Sequence, residues 1–248
     1  MKLVKTVAGR AVLIVVVLLV IIATSFSVWA TATNPIMPEA ERALQSDDVV
    51  KVVIDGFIAF EPQTSAPSVG YVLYPGGRVQ AEAYAPLARA IAEQGYLVAI
   101  VYAPLNLAFF SLDAASDVVA RYPSVTRWAV GGHSLGGVAA AIYAENNPNV
   151  AGLVLMASYP ANNALAQRDN LQTLSLYATQ DGLASVDAVL SSRQSLPKNT
   201  RFVAIEGGNH AQFGWYGAQY GDKPASITHA EQTAQIARET LALLAELA

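Results

Sequence analysis

The five residues Gly132-His133-Ser134-Leu135-Gly136 constrain this chain more than any other stretch. They form a G-x-S-x-G pattern between an apolar run at 126–131, which reads as a strand, and a small-residue run at 138–144, which reads as a helix. A bare five-residue match carries little weight; the strand–turn–helix setting is what the chemistry of such a turn requires. The turn forces the serine into a strained backbone conformation, and only glycine-sized neighbours leave room for it. Its hydroxyl then projects from the carboxyl edge of the strand, where the next helix N-terminus points at the same spot. The stretch has neither the spacing of a Gly-x-x-x-x-Gly-Lys nucleotide loop nor the second glycine pair of a dinucleotide fingerprint. A nucleophilic serine is therefore favoured over a phosphate cradle or a plain packing turn.

Strands and helices alternate around this turn. Apolar runs at 69–74, 96–102, 150–157, 174–179 and 201–206 read as buried strands. Helical patterns at 81–94 (closed by Gly95), 112–121, 185–193 and 227–247 separate them. The run 49–60 alternates and is broken by Asp55-Gly56, a hairpin signal. The expected fold is α/β: a doubly wound, mainly parallel sheet flanked by helices, with an antiparallel hairpin at its start. With 248 residues, 53% of them hydrophobic, the chain has enough apolar material for one such domain, spanning 49–248. Residues 31–48, with Pro35 and Pro38, read as a linker leading into a short helical piece.

The N-terminus carries the second strong signal. Lys2, Lys5 and Arg10 precede an apolar run that continues to Trp29-Ala30. Twenty helical residues span about 30 Å, the thickness of a bilayer core. Residues 1–30 are therefore expected to be a transmembrane anchor or uncleaved signal, with the basic flank cytoplasmic and the remaining domain outside. The alternative is a secretory signal cut at the small-x-small site Ala30-Thr31-Ala32, which would release the domain. A net charge of −4 without a basic patch argues against a nucleic-acid partner. With no cysteine, disulfides, thiolate metal sites and a cysteine nucleophile are excluded.

A serine hydroxyl needs a base, and there are three histidines. His133 lies inside the turn with its side chain directed away from the hydroxyl, and His229 falls in the last helical pattern as a surface residue. His210 follows the last strand on the glycine-rich loop Glu206-Gly207-Gly208-Asn209-His210, at the same edge as Ser134, and is the expected base. Asp181, directly after the strand at 174–179, is the expected acid that orients it, with Glu206 as the runner-up. The oxyanion donors are expected to be the Leu135 N–H and one from Pro75-Gly76-Gly77-Arg78, with Gly77 favoured over Gly76 and Arg78. Leu107 and Phe109 in one apolar tract, and Phe213 and Trp215 in another, are candidates to line a substrate pocket or simply to pack. This chemistry requires no metal and no organic cofactor.

In their order of nucleophile, acid and base, Ser134, Asp181 and His210, together with the Pro75-Gly76-Gly77 loop, resemble the α/β-hydrolase superfamily over about residues 50–248. The likeness is nearest to small bacterial members related to dienelactone hydrolases, with Gly-Gly-Asn-His-Ala-Gln-Phe-Gly at 207–214 as its most specific token. Ser134 stands where dienelactone hydrolases carry a cysteine, so lactone chemistry is not implied. The short interval between the strands at 150–157 and 174–179 leaves no room for the large cap of lipases. The resemblance implies a serine hydrolase acting on a small-molecule carboxylic ester or related acyl compound through an acyl-enzyme. An acyltransferase or perhydrolase with the same triad, or a non-catalytic binding protein, are the alternatives; oligomeric state is left open.

Overall fold

A computed structural model describes residues 7–64 and 66–248. Lys2 and Lys5 of the expected basic flank lie outside the described residues.

Helix α1 (Val7–Thr31) has 25 residues, about 37 Å at the usual rise, and its apolar side chains are exposed along most of its length. It is long and apolar enough to cross a membrane, a property shared by signal sequences. Six residues later comes the short helix α2 (Pro38–Ala43), opened by Pro38, whose missing N–H is no loss in a first turn. Strands β1 (Val50–Ile54) and β2 (Phe57–Pro62) pair antiparallel across the Asp55-Gly56 turn, where Gly56 takes φ +74°.

The sheet has eight strands in the order β1-β2-β4-β3-β5-β6-β7-β8. After the antiparallel hairpin, β3 (Val69–Tyr74), β4 (Leu97–Val101), β5 (Arg127–His133), β6 (Gly152–Met156), β7 (Gln172–Ala178) and β8 (Arg201–Ile205) run parallel. β3, β4 and β6 are buried at every position, so they read as unbroken apolar runs with period two hidden inside them. Tyr71, Leu73, Val98, Ile100, Val154 and Met156 face one core; it also takes α3 (Ala85–Ala92) and α7 (His229–Ala245). Val72, Tyr74, Leu97, Ala99, Leu153 and Leu155 face the other, with α4 (Ala114–Arg121) and α5 (Leu135–Asn146). A last short helix, α6 (Val186–Ser191), starts at Ser185, whose hydroxyl accepts the Ala188 N–H.

Helices α3, α4, α6 and α7 are all shorter than the sequence pattern suggests, and the first two show why. The segment 81–94 begins as a 3-10 turn, Ala81–Tyr84, and becomes α-helical only at Ala85, where Pro86 fits a first turn. The segment 112–121 becomes helical at Ala114, with the buried Tyr74 hydroxyl donating to the Leu112 carbonyl and accepting the Ala115 N–H. α7 starts where Thr228 and Glu231 cap each other reciprocally. The register pairs Tyr74 with Gly132, His133 with Met156, Met156 with Leu176 and Ala178 with Ile205, so these parallel strands end on one rim. The loops bearing residues 75–79, 134, 157–159, 179–184 and 206–213 all leave from that rim.

Candidate active site

Ser134 sits between β5 and α5 at φ 51°, ψ −120°, a conformation that costs a non-glycine residue about 1–3 kcal/mol. Three contacts hold it there. The Ser134 N–H donates to the Met156 carbonyl (2.9 Å), and its own carbonyl accepts the Ser158 hydroxyl (2.7 Å) and the Gly137 N–H (3.0 Å). The glycines around it are close-approach positions. A Cβ on Gly132 would lie 2.3 Å from the Gly136 backbone, and one on Gly136 would lie 2.2 Å from the Tyr74 carbonyl oxygen. The sequence pattern and the observed backbone are thus one fact read at two levels.

Asp181 and His210 are both almost fully buried. One carboxylate oxygen of Asp181 accepts the Leu183 and Ala184 N–H groups, each at 2.7 Å. The other lies 2.8 Å from His210 Nδ1. With Oδ1 occupied by the main chain, Oδ2 is left for the imidazole, so Nδ1 carries the hydrogen and Nε2 is free to take one. Glu206, the runner-up acid, is exposed and makes no hydrogen bond or ion pair with the ring among the described residues. His210, Ser134 and Leu135 line one cavity of roughly 350 Å³ together with Val138, Ala157 and Leu183. Among the described residues no hydrogen bond joins Ser134 Oγ to His210. In unliganded sites such contacts are often long and close only around a substrate.

The donor assignment at 76–78 follows from which N–H groups are already used. The Gly76 N–H donates to the Tyr84 hydroxyl (2.9 Å) and the Arg78 N–H to the Asn106 carbonyl (2.7 Å). Gly77, between them, has no acceptor for its N–H among the described residues. Leu135 is the first residue of α5, so its N–H also lies outside the helical ladder. A Cβ on Gly77 would sit 3.1 Å from a Leu135 methyl carbon, so the two residues are neighbours.

The four candidate pocket residues lie elsewhere. Phe213 is buried and stacks on the His133 ring at 5.4 Å. Trp215 packs on His229 at 5.2 Å and donates from its indole nitrogen to the Thr233 hydroxyl. After β4, Leu107 is the extended residue between two 3-10 turns and Phe109 lies, exposed, in the second of them. None of the four lines the cavity at Ser134. Tyr159, Leu183 and Gln219 do, and the sequence reading missed them. Tyr159 and Leu183 had a usable signal, since each follows a parallel strand by a few residues; Gln219 had none.

His133 has neighbours that the sequence does not announce. Its ring lies 4.5 Å from that of His210, and its Nδ1 is 2.8 Å from the Tyr84 hydroxyl. Burial, and then the neighbouring His210, hold its pKa well below the ordinary histidine value. His229 is half-buried rather than a surface residue, because the indole of Trp215 covers it. Asp222 is a further unforeseen residue: its carboxylate accepts the N–H groups of Ala211, Gly182 and Lys223, tying the histidine loop to the acid loop. Among the described residues no group of three His, Asp or Glu side chains is placed to hold a metal ion.

Comparison with known proteins bears on the fold. A family model described as "Alpha/beta hydrolase family" matches residues 70–234. Among solved structures, the esterase domain of a Rhodothermus marinus protein superposes with TM-score 0.60 at 14% identity, covering 75% of this chain and 90% of that one. A predicted CIB-like hydrolase from Thermoplasma acidophilum gives 0.58 at 15% identity, covering 80% and 99%. A Thermus thermophilus protein, TT1662, gives 0.58 at 16% identity, covering 80% and 98%. No curated protein sequence matches.

Proposed function

The chain belongs to the alpha/beta hydrolase family, and from that premise we propose that it is a membrane-tethered serine hydrolase cleaving a carboxylic ester through an acyl-enzyme. Ser134 Oγ attacks the ester carbonyl while His210 Nε2 takes its proton. Asp181, bonded to Nδ1, fixes the ring and stabilises its positive form. The Leu135 and Gly77 N–H groups receive the oxyanion. As the tetrahedral intermediate collapses, the bond to the leaving oxygen breaks and His210 returns the proton to that oxygen. Water, deprotonated by the same nitrogen, then attacks the acyl carbon and frees the acid and Ser134. The observation that carries the reading is the buried 2.8 Å contact between Asp181 and His210, on a cavity that Ser134 also lines. Roughly 350 Å³ suits a small acyl group, and Val138, Ala157 and Leu183 offer it apolar walls.

Anchoring by α1, with the domain outside the membrane, is part of the same proposal. It is supported by the length and apolar surface of α1 and by the basic residues before it. It is also supported by Ala30, which is fully buried, and by the Ala32 carbonyl, which accepts from Arg78 at 2.7 Å. A cut at the small-x-small site would sever a segment packed against the domain.

Turnover of short p-nitrophenyl esters by the full chain tests the chemistry. Ser134→Ala and His210→Ala are each expected to lose about 10⁴-fold or more in kcat. Wild-type rates in either variant would contradict the assignment.

A further inference from the structure

The end of α1 does not stand clear of the candidate site; it is bound to the loop that carries Gly77. The Arg78 guanidinium lies over the Trp29 ring at 4.7 Å and donates to the Ala32 carbonyl. Gln80 donates to the Thr33 hydroxyl at 3.0 Å, and Asn34 to the Ala218 carbonyl at 2.7 Å. The Met37 N–H donates to the Trp215 carbonyl at 2.8 Å. The backbone is unusual where these contacts meet. Arg78, Leu105 and Asn106 all take positive φ (60°, 54° and 54°), and α1 packs against the segment Pro104–Asn106. Strain of about 1–3 kcal/mol per residue persists only where surroundings over-determine it, and part of those surroundings is the exit of α1.

A second cavity, roughly 240 Å³, is lined by Ala32, Asn34, Gly77, Arg78 and Tyr216. Gln219 lines both this cavity and the one at Ser134. The space at the serine therefore adjoins a second space whose wall is the residue stretch leaving α1. Large side chains stand unpartnered nearby. Phe110 is 56% exposed on the segment following Pro104–Asn106, Phe109 stands beside it, and Tyr220 is fully exposed at the second cavity. Exposed aromatic groups at the end of α1 (Trp29), at the cavity it walls (Tyr220) and a few residues after the segment it packs against (Phe109, Phe110) match a lipid interface, where such rings sit at headgroup level.

We propose that the candidate active site opens at the bilayer surface, with the exit of α1 as one wall, and that its substrate is an amphiphilic ester drawn from that leaflet. The inference rests on the proposed hydrolase chemistry and on α1 as a span. Phe110, outside both cavities, rests in the headgroup region and presses the mouth against the lipid. An ester with an apolar tail reaches Ser134 past Gln219 without passing through water.

The chain has no cysteine, so single labels can be placed on the full-length protein. Phe110→Cys and, at the opposite ends of the strands, Asn199→Cys are each labelled with an environment-sensitive nitrobenzoxadiazole dye and reconstituted in phosphatidylcholine vesicles. The dye at 110 is expected to emit to the blue and to be quenched by doxyl-labelled lipid at least about two-fold more than the dye at 199. Equal quenching at both sites overturns the proposal. In a second arm, Phe110→Asp is expected to lose about ten-fold on a long-chain ester embedded in the vesicles, the fold-change given by exposing one buried ring. Its rate on a water-soluble short-chain ester should hold within about two-fold. Equal effects on both substrates, or none on either, overturn it. Failure of the chain to float with vesicles would instead remove the anchor reading, and with it this inference. Absence of turnover on the soluble ester would remove the hydrolase reading while the dye arm stays readable.

Discussion

Around Ser134 the backbone is shaped mainly by missing side chains, whereas around His210 buried polar side chains carry more of the work. Gly132, Gly136 and Gly137 let strand, turn and helix approach to distances at which any Cβ would collide with backbone or with Ser158. The histidine loop also has close-packed glycines, Gly207 and Gly208, but adds a network of side-chain bonds. Asn209 and the fully buried Gln232 exchange hydrogen bonds, with the Asn209 N–H and carbonyl each meeting the Gln232 amide. Asn209 also donates to the Lys223 carbonyl, and Asp222 takes N–H groups from both loops. The nucleophile's position is thus set by glycines packed against neighbouring strands, with the Met156 carbonyl and the Ser158 hydroxyl holding its backbone. The base's position is set by polar bonds that reach 11 to 29 residues along the chain.

Breaking each region should therefore fail in a different way. The largest effect is expected from Asp181→Asn, which keeps the shape of the acid loop but turns a donor toward His210 Nδ1. A fall in kcat of about 10³–10⁴-fold, with Tm nearly unchanged, is the expected result in steady-state kinetics and calorimetry. Next is Gly136→Ala, which forces a methyl group to 2.2 Å from the Tyr74 carbonyl oxygen. Here stability should drop by about 2–4 kcal/mol, read from urea denaturation, because backbone rather than a flexible side chain must give way. Asp222→Ala sharpens the contrast: three N–H groups lose an acceptor near solvent. Stability should fall by about 1–2 kcal/mol, and kcat by about ten-fold through a less well-held base. A Gly136→Ala protein with full stability, or an Asp222→Ala protein with full activity, would erase the distinction.

How far the sequence revealed the site follows from the same contrast. The serine turn was legible because its determinants lie within five residues and leave a glycine signature. The order of strands and helices was legible because β3, β4 and β6 are buried at every position and the helices are not. Asp222 was not legible, since a carboxylate in Gly-Asp-Lys looks like any turn residue until the fold brings Gly182 and Ala211 to it. Tyr84 was equally hidden: its hydroxyl joins the Gly76 N–H to His133, a link that only the packing of the 81–84 turn creates. Of the two roles the sequence leaves open for the aromatic tracts, Phe213 and Trp215 take packing, against His133 and His229.

The smallest effect concerns the buried imidazole that links the two regions. His133 has a folded pKa well below its ordinary value, through burial first and His210 second. The unfolded chain therefore binds a proton at this residue that the folded chain refuses. Its contribution to stability is complete above about pH 6.5 and is lost as pH falls from there toward the folded pKa. Over that window stability should decline by up to about 1 kcal/mol per pH unit from this group, and His133→Asn should flatten the decline in a pH series of denaturation curves.

The most direct test of the central claim is covalent. The full chain is treated with a fluorophosphonate, and the modified peptide is sequenced by mass spectrometry. The account predicts one adduct, on Ser134, that forms far more slowly in His210→Ala and is absent from Ser134→Ala. An adduct on another residue, or undiminished labelling of Ser134→Ala, would contradict it.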